Sequence, residues 1–123
     1  IDSIFLISPT TEDKRIELII NQATGFLYYV SLKGVTGSSN IDIKQVSKKV
    51  DNIKEFSKLP IAVGFGVRDA KTAKEVALIS DAVVIGSRIV KEIEDSEGDN
   101  LIDNIKKLMV EMKNSINNKA ARK

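Results

Sequence analysis

Apolar residues in this chain come in short dense runs, separated by longer stretches in which they recur every three or four positions. The run at 4–7 predicts a first strand, stopped by Ser8 and Pro9. Thr11 then caps a helix whose apolar positions Ile16, Ile19, Ile20 and Ala23 share one face, and Gly25 ends it. Residues 26–30, FLYYV, are aromatic and β-branched and predict a second strand. The small, polar stretch that follows, through Asn40, has loop composition. Ile43, Val46, Val50 and Ile53 mark a second helix that ends before Pro60. The third strand is 61–63, and Asp69 caps a third helix carrying Ala70, Ala73, Val76 and Ala77. The fourth strand is 82–85, closed by Gly86 and Ser87 and followed by a short helical turn through Ile89 and Val90. A polar break at 96–100 leads to a last helix expected to bury Ile102, Ile105, Leu108 or Met109, and Met112. From Asn114 the chain turns polar and basic and is expected to fray.

Strands that read as almost unbroken apolar runs, alternating with helices, predict a parallel sheet covered on both faces. Four strand–helix units in 123 residues are half of an eight-unit barrel, which takes about 250 residues. An open, doubly wound sheet fits the same periodicity. The chain begins at Ile1 without methionine and enters a strand almost at once. The expectation is therefore a single segment, 1–123, of a longer domain whose N-terminal half is missing.

Composition narrows the chemistry. Hydrophobic residues are 42% and charged residues 29%, as in a soluble globular domain. The net charge of +2, with basic and acidic residues interspersed, offers no stripe for nucleic acid. There is no cysteine, hence no disulfide or thiolate nucleophile, which fits a reducing compartment such as the cytoplasm. There is no histidine, hence no histidine base and no ordinary zinc site. No apolar run reaches the roughly 18 to 20 residues of a membrane-spanning helix.

In either architecture ligands gather at the C-terminal ends of the strands. Three of these exits carry glycines: Gly34 with Thr36 and Gly37 after strand two, Gly64 and Gly66 after strand three, and Gly86 with Ser87 after strand four. A strand exit without a Cβ lets backbone amides approach an anion, and a helix starting at Ser87 adds unpaired amides and a positive dipole end. Together they predict a phosphate site. Phe65 sits between its two glycines, and strand alternation puts Phe26, Tyr28 and Val30 on one face. Tyr28, Phe65 and Leu6 can then wall a flat apolar pocket, and the loop after strand two can act as a lid. Arg88 can pair with a phosphate or with a neighbouring acid. No pair of carboxylates converges on the glycine-bearing end: Asp42 and Asp69 read as helix caps, and Asp81 precedes its strand. The binding parts are present without the acid–base parts.

FLYYVSLKGVTG, LPIAVGFGVRDAKTAKEV and DAVVIGSRIVKEIE, in this order and spacing, resemble the C-terminal half of the tryptophan synthase alpha chain family, and IFLISPTTEDKRIELI resembles that family's fifth strand and helix. The resemblance covers essentially the whole chain. It implies an α/β fold, strands five to eight and their helices of a (β/α)8 TIM barrel. It also implies a lyase that cleaves indole-3-glycerol phosphate to indole and glyceraldehyde 3-phosphate in tryptophan biosynthesis. No cofactor is implied for this chain; pyridoxal phosphate belongs to the partner beta chain of an α2β2 complex. The matching positions imply phosphate binding by Thr36, Gly37, Gly64, Gly66, Gly86 and Ser87, and an indole pocket with Leu6, Tyr28 and Phe65. The family's catalytic glutamate and aspartate lie in the N-terminal half, so this segment is expected to be inactive alone. Arg88 departs from the small residue common there. Another phosphate-binding barrel of histidine or tryptophan biosynthesis, or a non-catalytic half-barrel module, are the alternatives.

Overall fold

The computed structural model describes residues 1–31, 42–64 and 66–118. Four strands, β1 (Phe5–Ile7), β2 (Leu27–Val30), β3 (Ile61–Gly64) and β4 (Ala82–Val84), alternate with helices α1 (Asp13–Gln22), α2 (Ile43–Phe56), α3 (Ala70–Ile79), α4 (Ser87–Asp95) and α5 (Leu101–Asn117). A 3-10 turn at Gly98–Asn100 separates the last two helices. The strands form one parallel sheet in the order β1-β2-β3-β4.

That order decides between the two architectures. A doubly wound sheet reverses its strand order partway, which sends helices to both faces. Here each strand lies beside the one before it, and right-handed crossovers then put every helix on the same side. The core agrees. Its strand residues are Ile7, Leu27, Tyr29, Ile61 and Val63, all of one face by the register, packed on Ile16 of α1, Val50 and Ile53 of α2, Val76 of α3, and Leu108 and Met112 of α5. The opposite face, with Leu6, Tyr28, Val30, Gly64 and Val84, contributes nothing to that core. The sheet is therefore covered on one face, not on both as the apolar runs predicted. A strand facing a barrel interior is as apolar as one facing a helix, so composition cannot separate the two.

Local signals explain most element boundaries. The Asp42 carboxylate accepts the Gln45 amide at 3.1 Å and opens α2. Asp69 accepts the Thr72 amide at 2.7 Å and opens α3. Asp81 reaches across from the start of β4 to accept the Ile61 amide at 2.9 Å, tying the N-terminal ends of β3 and β4 together. Thr11 does not cap α1: its hydroxyl accepts the Ser8 amide at 3.0 Å, and the helix opens at Asp13 with no side-chain cap. The tight turn after β1 captures the hydroxyl first. Gly25, at φ +76, lies beyond the last turn of α1. The helical turn expected after Gly86 is a nine-residue helix. On α5 the buried residues are Leu108 and Met112, while Ile102 is 66% exposed. The helix also runs regularly to Asn117, past the point where fraying was expected.

Candidate functional site

The C-terminal ends of β2, β3 and β4 are bound into one rim. Just past β2, the Ser31 hydroxyl and the Ser31 amide both donate to the Gly64 carbonyl, each at 3.1 Å. Gly64 in turn registers with Val30 on one side and Val84 on the other. Since Gly64 and Val84 are paired, Gly66 and Gly86 each lie two residues past the same level of the sheet. The structure thus brings Gly64, Gly66, Gly86 and Ser87 to adjacent strand exits. Thr36, Gly37 and Phe65 lie outside the described residues.

The three described glycines of this rim differ in why they are glycine. At Gly64 a Cβ would fall 2.5 Å from the Tyr28 Oη and 3.0 Å from the Val84 Cβ, so the site has room for none. Gly66 has φ +83, a left-handed conformation costly for any residue with a Cβ. Gly86 is at φ −115, and among the described residues a Cβ there would meet nothing within 4 Å. Neither its backbone nor its packing against the described residues demands a glycine at that position. What glycine adds there is an unshielded approach to the first turn of α4.

That first turn is open. Gly86 is the residue before α4, whose first turn has no side-chain cap. The Gly86 carbonyl already accepts the amides of Ile89 and Val90, at 2.9 and 3.1 Å. The Ser87 and Arg88 amides precede them and have no helical acceptor. Arg88 itself turns along the helix to pair with Glu92 at 2.7 Å.

Leu6 and Tyr28 are register partners on the face that the helices leave bare. Leu6 is 64% exposed. Tyr28 leans toward the C-terminal end of the sheet, since its hydroxyl reaches Gly64 from a register position opposite Ala62. A hollow of about 760 Å³ opens beside them, its wall formed by Leu6 and Val30 with the polar residues Ser8, Thr10, Thr11, Glu12 and Arg15. The hydroxyl cluster in its wall, with Ser8 Oγ at 3.0 Å from Thr10 Oγ1 and 3.2 Å from Thr11 Oγ1, had no motif to announce it. Ser31 was likewise missed; a lone serine in a polar loop carries no signal of the carbonyl it will meet.

Several carboxylates have structural partners. Asp69 is held below its ordinary value of 3.8, first by the Thr72 amide that it caps. Asp13 faces Lys49 at 3.8 Å and accepts from Asn52 at 3.2 Å. Burial raises the Tyr29 phenol, which points to the helix side of the sheet. Among the described residues no group of His, Cys, Asp or Glu could hold a metal ion, and no helix is long and apolar enough to cross a membrane.

Residues 1–121 match the family described as Tryptophan synthase alpha chain. The chain is 54% identical over 104 residues to the tryptophan synthase alpha chain of Janthinobacterium sp. (strain Marseille), covering 85% of this chain and 39% of that relative. It is 48% identical over 120 residues to the one from Nitrosomonas europaea, covering 98% of this chain and 44% of the relative. Among solved structures, the tryptophan synthase alpha chain of Legionella pneumophila subsp. pneumophila superposes with a TM-score of 0.75 at 32% identity, over 95% of this chain and 43% of that one. The chain thus spans about two-fifths of the length of the relatives it matches.

Proposed function

The chain belongs to the tryptophan synthase alpha chain family, and from that premise we propose that it is the phosphate-gripping half of a (β/α)8 barrel acting on indole-3-glycerol phosphate. In this reading residues 1–123 form one half-barrel segment of a longer domain, in the cytoplasm. The amides at Gly64, Gly66, Gly86 and Ser87, joined by Thr36 and Gly37, surround the phosphate. Leu6, Tyr28 and Phe65 wall the indole end.

The observation that carries the reading is the open first turn of α4 beside Gly86, on the same rim as Gly64 and Gly66. A dianion there gains unpaired amides and the positive end of the helix dipole. Among the described residues nothing else calls for a glycine at position 86.

Cleavage to indole and glyceraldehyde 3-phosphate also needs a proton moved and charge stabilised at the indole ring. On the family's pattern those carboxylates belong to the other half of the barrel. The segment alone then binds and does not cleave. It holds no cofactor of its own; pyridoxal phosphate is assigned to a beta chain that docks on the complete alpha chain and accepts the indole.

Titrating 15N-labelled chain with glycerol 3-phosphate tests the reading. Amide shifts should concentrate at Gly66, Gly86, Ser87 and Arg88, with no indole formed when indole-3-glycerol phosphate is supplied. Shifts scattered over the helices, with these four amides unmoved, would overturn it.

A further inference from the structure

We propose that the hollow between α2 and the loop after β1 binds a small zwitterion. Its anionic oxygen takes the Tyr29 hydroxyl and the ammonium groups of Lys44 and Lys48, and its cationic end lies toward Asp51 and Glu55. The hollow measures about 750 Å³, with these five side chains and Pro9 in its wall. That volume suits a small-molecule site. The wall comes from the loop after β1, from β2 and from α2, on the helix side of the sheet and away from its bare face. Two bonds hold it in place: Lys49 Nζ donates to the Thr11 carbonyl at 3.0 Å, and Asn52 Nδ2 donates to the Asp13 carboxylate at 3.2 Å.

Tyr29 is what distinguishes this hollow from an ordinary helix surface. Only 1% of the residue is exposed. Among the described residues its hydroxyl has no hydrogen-bond partner, yet no fully buried side-chain polar atom lacks one. The exposed remnant is therefore at the hydroxyl, where the residue meets the hollow. The apolar core that holds the ring gives the hydroxyl nothing to bond, and a desolvated donor without an acceptor is costly. Burial raises the phenol, so the group is a neutral donor at ordinary pH.

The charges beside it run against the helix that carries them. Lys44 stands in the first turn of α2, where the dipole disfavours a cation, and Glu55 stands in the last, where it disfavours an anion. Lys44 and Lys48 are like charges four residues apart, and so are Asp51 and Glu55, an unfavourable spacing in both cases. Among the described residues none of the four forms an ion pair. Helix stability does not account for this order of charges. A ligand with ends of opposite sign does, because it offsets both repulsions at once, and the phenol donor fixes which end is the anion.

Titrating the 15N-labelled protein separately with 4-aminobutyrate and with phosphoethanolamine tests the site; glutarate, anionic at both ends, is the control. Shifts should centre on the amides of Lys44, Lys48 and Asp51, and glutarate should bind more weakly. The tighter of the two zwitterions shows whether the anion is a carboxylate or a phosphate. Tyr29→Phe keeps the ring and should weaken binding about tenfold, the worth of a hydrogen bond to a charged group, with no loss in melting temperature. Lys48→Glu, on the exposed surface of α2, should abolish the response whatever Tyr29→Phe does to folding. No shift with either zwitterion overturns the site. Binding of glutarate as tight as theirs overturns the two-ended ligand, and a folded Tyr29→Phe that binds like wild type leaves only surface charge and overturns the proposal. Gly86→Ala should leave this response unchanged, so this inference and the phosphate reading fail separately.

Discussion

The hydroxyl of Tyr28 overhangs Gly64, from a strand position registered opposite Ala62 rather than opposite Gly64 itself. The ring crosses the sheet diagonally, and a Cβ at position 64 would fall 2.5 Å from the Tyr28 Oη. A real Cβ cannot occupy that space unless the ring moves. Gly64→Ala should therefore destabilise the fold by about 1–3 kcal/mol, the usual cost of overpacking. Adding Tyr28→Phe should return part of that loss, because the Oη is the nearest obstacle while the Val84 Cβ, at 3.0 Å, remains. Urea unfolding of the two single variants and the double variant measures the coupling.

Gly66 and Gly86 should separate stability from binding. Gly66 is left-handed at φ +83, so Gly66→Ala should cost about 1–2 kcal/mol. Gly86 has an ordinary negative φ and, among the described residues, open space around it, so Gly86→Ala should change stability by no more than about 0.5 kcal/mol. The same change should still abolish the amide response to glycerol 3-phosphate, since the added methyl occupies the approach to α4. Denaturation and titration on each variant are the two measurements.

Ser31 holds the rim by a side-chain bond and a main-chain bond to one carbonyl. Ser31→Ala removes the first and keeps the second. The expected cost is about 1 kcal/mol, the net worth of one such hydrogen bond. Hydrogen exchange should report it as faster opening at the C-terminal ends of β2 and β3, with the amides of α5 unchanged.

Asp69 gives a pH signature. Its folded carboxyl titrates below 3.8 because the ionised form accepts the Thr72 amide. A depressed acid contributes stability above its unfolded value and loses it as pH falls through the folded one. Wild type should thus exceed Asp69→Asn at neutral pH, and the gap should close as pH falls below 3.8. Asp69→Ala removes the cap entirely and should cost about 1 kcal/mol at neutral pH. Thermal melts across that range decide both points.

Local physics made much of this molecule legible in advance. The buried stripe of α2, at Val46, Val50 and Ile53, follows from helical spacing alone. The caps at Asp42 and Asp69 follow from the preference of a carboxylate for free amides. Thr11 was misread because two local motifs competed for one hydroxyl, and the turn at Ser8 took it. Ile102 was misread because the helical period admits it to a stripe that the neighbouring helices do not reach.

By itself, then, the sequence determined the elements, their apolar faces and the three glycine-bearing strand exits, because each depends on residues within a few positions of one another. The tertiary structure decided which side of the sheet the helices take, that Tyr28 lies over Gly64, that Ser31 fastens two strand ends, and that Arg88 turns to Glu92. Apolar runs are alike whether they face helices or the interior of a barrel. Only the order of the strands, with the fixed hand of their crossovers, tells the two apart.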